Sequence, residues 1–175
     1  MDQPIKDFSD CHVGIVNILD DLTALSRQRD PVPQRREVAG RVLRFFRDVV
    51  TTHHDEEETE LFTAVRADAA RGDERANVEA LVGQLVAEHR RVEALYAQLA
   101  PTLSAIEGGD DVSLDASAVA MLVTDYLAHA RFEEEVFLPL SQAILGRNSD
   151  HMAALGLSLH IRHASEDVRR KFGFI

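Results

Sequence analysis

At 175 residues and a formal net charge of -11, the chain is long enough to bury a core without covalent staples, and its field repels nucleic-acid phosphates and anionic membrane surfaces as partners. Its single cysteine, Cys11, excludes an internal disulfide and any cysteine-rich zinc or iron–sulfur site, which leaves His and carboxylate as metal ligands. Leu, Ala, Val, Glu and Arg dominate and Gly and Pro are few, which favours an all-α protein of one domain over residues 1–175; with no signal-peptide core and no membrane-length apolar run, the cytoplasm is the expected location.

Turn formers at Asp30-Pro31-Val32-Pro33, Arg71-Gly72-Asp73, Gly108-Gly109-Asp110-Asp111 and Gly146-Arg147-Asn148-Ser149 predict five helical segments. The first is expected near 9–29 with Ser9 as N-cap, and Phe8, Ile15, Leu19 and Leu22 form an apolar stripe that His12 joins. The second, near 33–70 with Pro33 in its first turn, carries Val42, Phe46 and Val49, and His53 continues that stripe. The third, near 74–107, places His89 between Leu85 and Val92 in a stripe with Val78, Val82, Tyr96 and Leu99. The fourth, near 113–145, places His129 between Leu122 and Val136, with Leu140 beyond. Pro101 and Pro139 fall inside these last two helices, where each removes a backbone hydrogen bond and is expected to kink or loosen its helix. The fifth, near 150–170, bears Met152, Leu155 and Leu159 as a face for the bundle or for a homodimer, and its His151, His160 and His163 are expected to be non-ligands. Short connections make sequential helices antiparallel: an up-down-up-down four-helix bundle over about 8–145 with an additional C-terminal helix.

Each of the four bundle helices thus points one histidine inward. Counted from the helix ends, His12, His53, His89 and His129 lie within a few residues of one level, a spread of roughly 5 Å at the α-helical rise per residue. His53 and His129 each have a glutamate four residues on, Glu57 and Glu133, one turn away on the same face. The spacing repeats, with 41 residues from His12 to His53 and 40 from His89 to His129, and each His-x-x-x-Glu precedes an apolar pair, Leu61-Phe62 or Phe137-Leu138. A pseudo-twofold metal pair follows, with two glutamates from opposite helices placed to bridge it and partly neutralise its buried charge. Imidazole with carboxylate suits divalent first-row metals, and the Glu-x-x-His of ferritin-type sites is absent from the chain.

Residues 8 to 145 resemble the hemerythrin-like (HHE cation-binding) domains. The resemblance rests on His12, the segment from His53 to Phe62, the pair Glu88-His89, and the segment from His129 to Pro139. It implies an oxo- or hydroxo-bridged centre of two iron ions that meets a small oxidant: O2, H2O2 or NO. Oxygen-carrying members have His-x-x-x-His on the third helix and His-x-x-x-x-Asp on the fourth, whereas here Glu93 follows His89 at i+4 and Glu133 follows His129. The pattern looks closer to four-histidine, two-glutamate domains associated with iron and oxygen sensing or with oxidative and nitrosative stress, and it implies no durable oxygen carriage.

His54 and Glu58 form a second i,i+4 pair, but His53 and Glu57 match the register of His129 and Glu133 before the apolar pair. Some members of the family place an extra ligand directly after the second-helix histidine, so His54 and Glu93 are further candidate ligands. The acidic run from Asp55 to Glu60 is otherwise expected to be a solvated face. Tyr126 is placed to hydrogen-bond a ligand or oxidant, or else to reach water, and Cys11 is expected to face away from His12. The expected function is a stand-alone protein that senses or removes an oxidant. The alternative is a di-iron peroxidase or oxidase, or an iron-centre repair enzyme. Four inward histidines disfavour a phosphotransfer bundle, which needs one exposed histidine.

Overall fold

The computed structural model describes residues 3–27, 31–148, Asp150 and Leu155. Among these the chain forms four long helices and no strand. Helix α1 is Gln3–Ser26, α2 spans residues 32–68, α3 is Asp73–Gly108 and α4 spans residues 116–145. The helices pack in sequence and α4 returns to α1, closing the up-down-up-down bundle. The predicted C-terminal helix, with His151, His160 and His163, lies outside the described residues apart from Asp150 and Leu155, and the side chain of Phe8 is likewise outside them.

Two helix starts and the effect of one proline differ from the sequence expectation. Helix α1 begins at Gln3 and not at Ser9, because Pro4 is tolerated in a first turn, where its missing N–H would have no intrahelical partner. Helix α4 begins at Ala116, capped by Asp115, whose Oδ1 accepts from the N–H groups of Ser117 at 2.8 Å and Ala118 at 3.2 Å. Pro101 does not interrupt α3, which is one α-helix from Asp73 to Gly108. It ends where Gly109, at φ 106°, lets the Asp110 N–H reach the Ala105 carbonyl at 2.9 Å. Across that loop, the buried Arg35 guanidinium donates to Asp111 Oδ1 at 2.7 Å and to the Val112 carbonyl, pinning the start of α2 to the α3–α4 connection.

Helices α2 and α4 are not uniform. Wider π turns occur at Phe46–Val50 and Glu57–Leu61 in α2 and at Glu133–Phe137 in α4. Each holds one more residue per turn and so advances the buried face by one position. Adjacent residues therefore face inward on α2: Phe45 with Phe46, Val49 with Val50, His53 with His54, Leu61 with Phe62. On α4 the shift puts Phe137 in the core and leaves Val136 exposed, against the uninterrupted stripe expected there. Pro139 follows directly, where Leu138 N–H already bonds back to the Glu133 carbonyl and the ladder is returning to α spacing, so its missing donor accommodates the shift.

The core consists of two apolar clusters. One gathers the C-terminal half of α1, the first half of α2, the end of α3 and the start of α4, including Leu19, Leu22, Phe45, Leu103 and Leu122. The other gathers Ile5, Leu61, Phe62, Val82, Leu85, Phe137 and Leu145. Between them, on all four helices, lie the buried histidines and glutamates.

Candidate metal centre

His12 on α1, His53, His54 and Glu57 on α2, His89 on α3, and His129 and Glu133 on α4 are all buried in that layer. Their ligand atoms form three groups, in each of which every atom is within 4.8 Å of the others: His12, His53, Glu57 and Glu133; Glu57, His89, His129 and Glu133; and His54, His89 and His129. All six expected core residues are therefore brought together, and Glu57 and Glu133 belong to both four-residue groups. Glu57 turns Oε1 to His53 Nε2 at 3.4 Å and Oε2 to His89 Nε2 at 3.3 Å. Glu133 Oε2 is 3.1 Å from His12 Nε2 and 3.4 Å from His129 Nε2.

Behind the imidazoles stands a second row of carboxylates. His12 Nδ1–H donates to Glu134 at 2.8 Å, His89 Nδ1–H to Glu58 at 2.9 Å, His129 Nδ1–H to Glu88 at 3.0 Å and His54 Nδ1–H to Glu93 at 3.1 Å. A carboxylate at Nδ1 keeps the proton there, turns Nε2 toward the bundle axis and raises its basicity, the usual support for metal-binding histidine. Glu93, a candidate ligand by sequence, sits on the outer edge of His54, outside all three groups. By sequence Glu58 is only the i,i+4 partner of His54, Glu88 only the neighbour of His89 and Glu134 is not distinguished by itself, so none is assigned this supporting place, although each adjoins an expected ligand. The run from Asp55 to Glu60 is accordingly more than a solvated face, for Glu56 and Glu57 are buried and Glu58 supports His89.

His54, a further candidate ligand by sequence, supplies a fifth imidazole to the layer. Its ring stacks on His89, with centroids 4.0 Å apart and planes 5° apart. With its Nδ1 proton given to Glu93, its Nε2 accepts from the Tyr126 hydroxyl at 3.0 Å. Tyr126 is fully buried and does not reach water, and burial pushes its phenol well above the ordinary range. Cys11 is half-buried. A cleft of about 410 Å³ between α2 and α3, walled by Phe46, Val50, Val92 and Tyr96, leads down past Arg90 and Glu93 to His54.

The electrostatics of the layer by itself are strained. Burial holds His53, His54 and His129 below the ordinary histidine value. Burial opposes charge on His12 too, but hydrogen bonding and attraction to Glu133 raise it to about 9. Burial, reinforced by the nearby Glu133 charge, lifts Glu57 well above the carboxylate range, whereas at Glu133 burial is outweighed by the His12 hydrogen bond and the neighbouring imidazoles, which hold it low.

Bound metal fits these residues on one observation above all. Both oxygens of Glu57, Oε1 of Glu133 and the Nε2 atoms of His89 and His129 are buried and have no hydrogen-bond partner. With the histidine protons held at Nδ1, Nε2 and carboxylate lone pairs would face one another across 3.3–3.4 Å, which is repulsive unless a proton, of the kind the raised Glu57 takes up, or a metal cation lies between them. Imidazole and carboxylate are the donors that divalent first-row metals take.

Comparison with protein families matches residues 3–141 to the hemerythrin HHE cation binding domain. No curated protein and no solved structure matches the chain. Among the described residues, no helix is long and apolar enough to cross a membrane.

Proposed function

The chain belongs to the hemerythrin HHE cation-binding family, and we propose that it holds two iron ions in the mid-bundle layer and lets them meet a small oxidant, O2, H2O2 or NO, in oxidative or nitrosative stress or in iron handling. His12 and His53 would hold one ion, His89 and His129 the other with His54 beside them, and Glu57 and Glu133 would be shared between the two. The sharing of both glutamates between the two ligand groups carries this reading. Bound iron would supply one-electron redox chemistry toward the oxidant. The chain's own part is to orient five imidazoles through Nδ1 or packing, to exclude bulk water with apolar clusters above and below, and to leave the α2–α3 cleft as an approach to His54.

Loading the protein anaerobically with ferrous iron, counting iron, and then admitting air while recording the optical spectrum tests it. Two irons per chain and new charge-transfer bands are expected from the paired ligand sets. A reproducible single tetrahedral zinc would overturn the reading. Tyr126, an oxidisable phenol bonded to His54, favours as second reading a di-iron peroxidase or oxidase, which sustained peroxide consumption with an electron donor would distinguish.

A further inference from the structure

Two of the four Nδ1 carboxylates, Glu58 and Glu93, line the α2–α3 cleft, and they share one cation. Arg90 donates through Nη1 to Glu93 Oε1 at 3.1 Å and Oε2 at 2.9 Å, and through Nη2 to Glu58 Oε2 at 2.5 Å. The other oxygen of Glu58 takes the His89 Nδ1 proton, and Glu93 takes that of His54. One guanidinium thus stands behind the two stacked imidazoles, and both belong to the group with His129. Behind His129 the arrangement is different: Glu88 takes a hydrogen bond from the neutral amide of Gln84 at 2.8 Å, while the carboxylate behind His12 is Glu134 of α4.

We propose that Arg90 is a positioning residue that fixes His54 and His89 through Glu93 and Glu58, so that the two metal positions are unequal in affinity. The proposal rests on the two-iron reading above. A planar guanidinium can hold two carboxylates at a set separation and angle, which an ammonium on a flexible stem does not do. More than half of the Arg90 side chain is exposed, at 56%, and exposed ion pairs contribute little to folding stability. The effect of the clamp is therefore on the orientation and donor strength of two imidazoles, through the carboxylates that support them.

The test compares wild type with Arg90→Ala, Arg90→Lys and Arg91→Ala, in which Arg91, paired with Asp125 at 2.5 Å, is the control cation one position away. Full-length metal-free protein is titrated anaerobically with ferrous iron against a competing chelator. Wild type and Arg91→Ala should each take two irons. Arg90→Ala should keep one at wild-type affinity and bind the other about 10- to 100-fold more weakly, with Arg90→Lys recovering only part, while thermal melting of the metal-free variants stays near wild type. Metal-free protein supplies an independent readout: the imidazole Nδ1–H resonances of His54 and His89 should move in Arg90→Ala, and those of His12 and His129 should not. Equal affinities in Arg90→Ala and wild type, equal weakening of both irons, or unmoved His54 and His89 resonances would each overturn the proposal. Wild type that takes up no pair of irons would refute the two-iron reading and the inequality with it, whereas failure confined to Arg90→Ala leaves that reading standing.

Discussion

Two glutamates in the layer do different electrostatic work from the histidines around them, and single substitutions separate the roles. Glu57 faces His53 with one oxygen and His89 with the other, so Glu57→Ala removes a donor from both groups and leaves two cations less compensated; Glu133→Ala should do the same. His12 belongs to one four-residue group only. Iron analysis should therefore find both irons depleted in the glutamate variants and about one retained in His12→Ala, on the count of ligands left at each position; loss of only one iron in Glu57→Ala would mean terminal ligation. The metal-free layer also sets a pH dependence. His53, His54 and His129 are held below 6.5, so as pH falls through that value the unfolded chain binds protons that the folded chain refuses, and stability drops. His12 is raised to about 9, so its contribution is full below 6.5 and is lost as pH climbs through 9, and the raised Glu57 works in the same direction. Melting temperature of metal-free protein should peak near neutrality and fall on both sides; a steady rise up to pH 9 would contradict these signs. The candidate ligands were legible because i,i+4 spacing on an apolar stripe exposes them. The supporting roles of Glu58, Glu88 and Glu134 were not, since an acid beside a buried ligand looks in sequence like ordinary solvated helix surface.

At the level of the helices, four lengths and their order follow from turn formers and periodicity, but the π turns do not. A stripe read at 3.6 residues per turn takes Val136 as core, whereas the Glu133–Phe137 turn presents Phe137 instead. The adjacent apolar pairs Leu61-Phe62 and Phe137-Leu138 were visible in sequence, and their joint burial is the trace that a register shift leaves. Deleting the exposed Glu135 removes the extra residue of the turn and should restore α spacing with Leu138–Leu145 still facing the lower cluster, whereas deleting the exposed Gln142, in the regular α-helix beyond it, should rotate Ile144 and Leu145 by about 100° off that cluster. A larger drop in melting temperature is expected for the Gln142 deletion than for the Glu135 deletion, and almost none for Glu135→Ala, which removes only an exposed pair with Arg131. Equal stability of the two deletions would show that the turn does not hold the extra residue that shifts the register. Asp115→Ala should cost about 1 kcal/mol, the usual loss for an N-cap, read as a shift in the denaturant midpoint with unchanged slope.

On the scale of the whole molecule, a polar layer divides two apolar clusters, each contributed by several helices. The clusters contain the large buried side chains, and a chain of this length buries enough of them to fold without metal. The layer works against that, since it encloses carboxylates and imidazoles whose lone pairs lack partners in a protein that already carries a net charge of -11. Metal binding would relieve both conditions, because cations among the facing lone pairs would pair with them and reduce the excess negative charge. Binding to the folded state alone stabilises it by about 2.7 kcal/mol per site at free metal 100-fold above Kd, and two sites should raise the melting temperature by about 10–20 °C for a chain of this size. Chelation should reverse the shift while leaving the far-ultraviolet helical signal nearly unchanged at 25 °C, because the two clusters persist. Metal-free protein that has lost its helices at that temperature would show that the ions, and not the apolar clusters, hold the four helices together. A melting temperature indifferent to iron would show that the layer between them binds no cation.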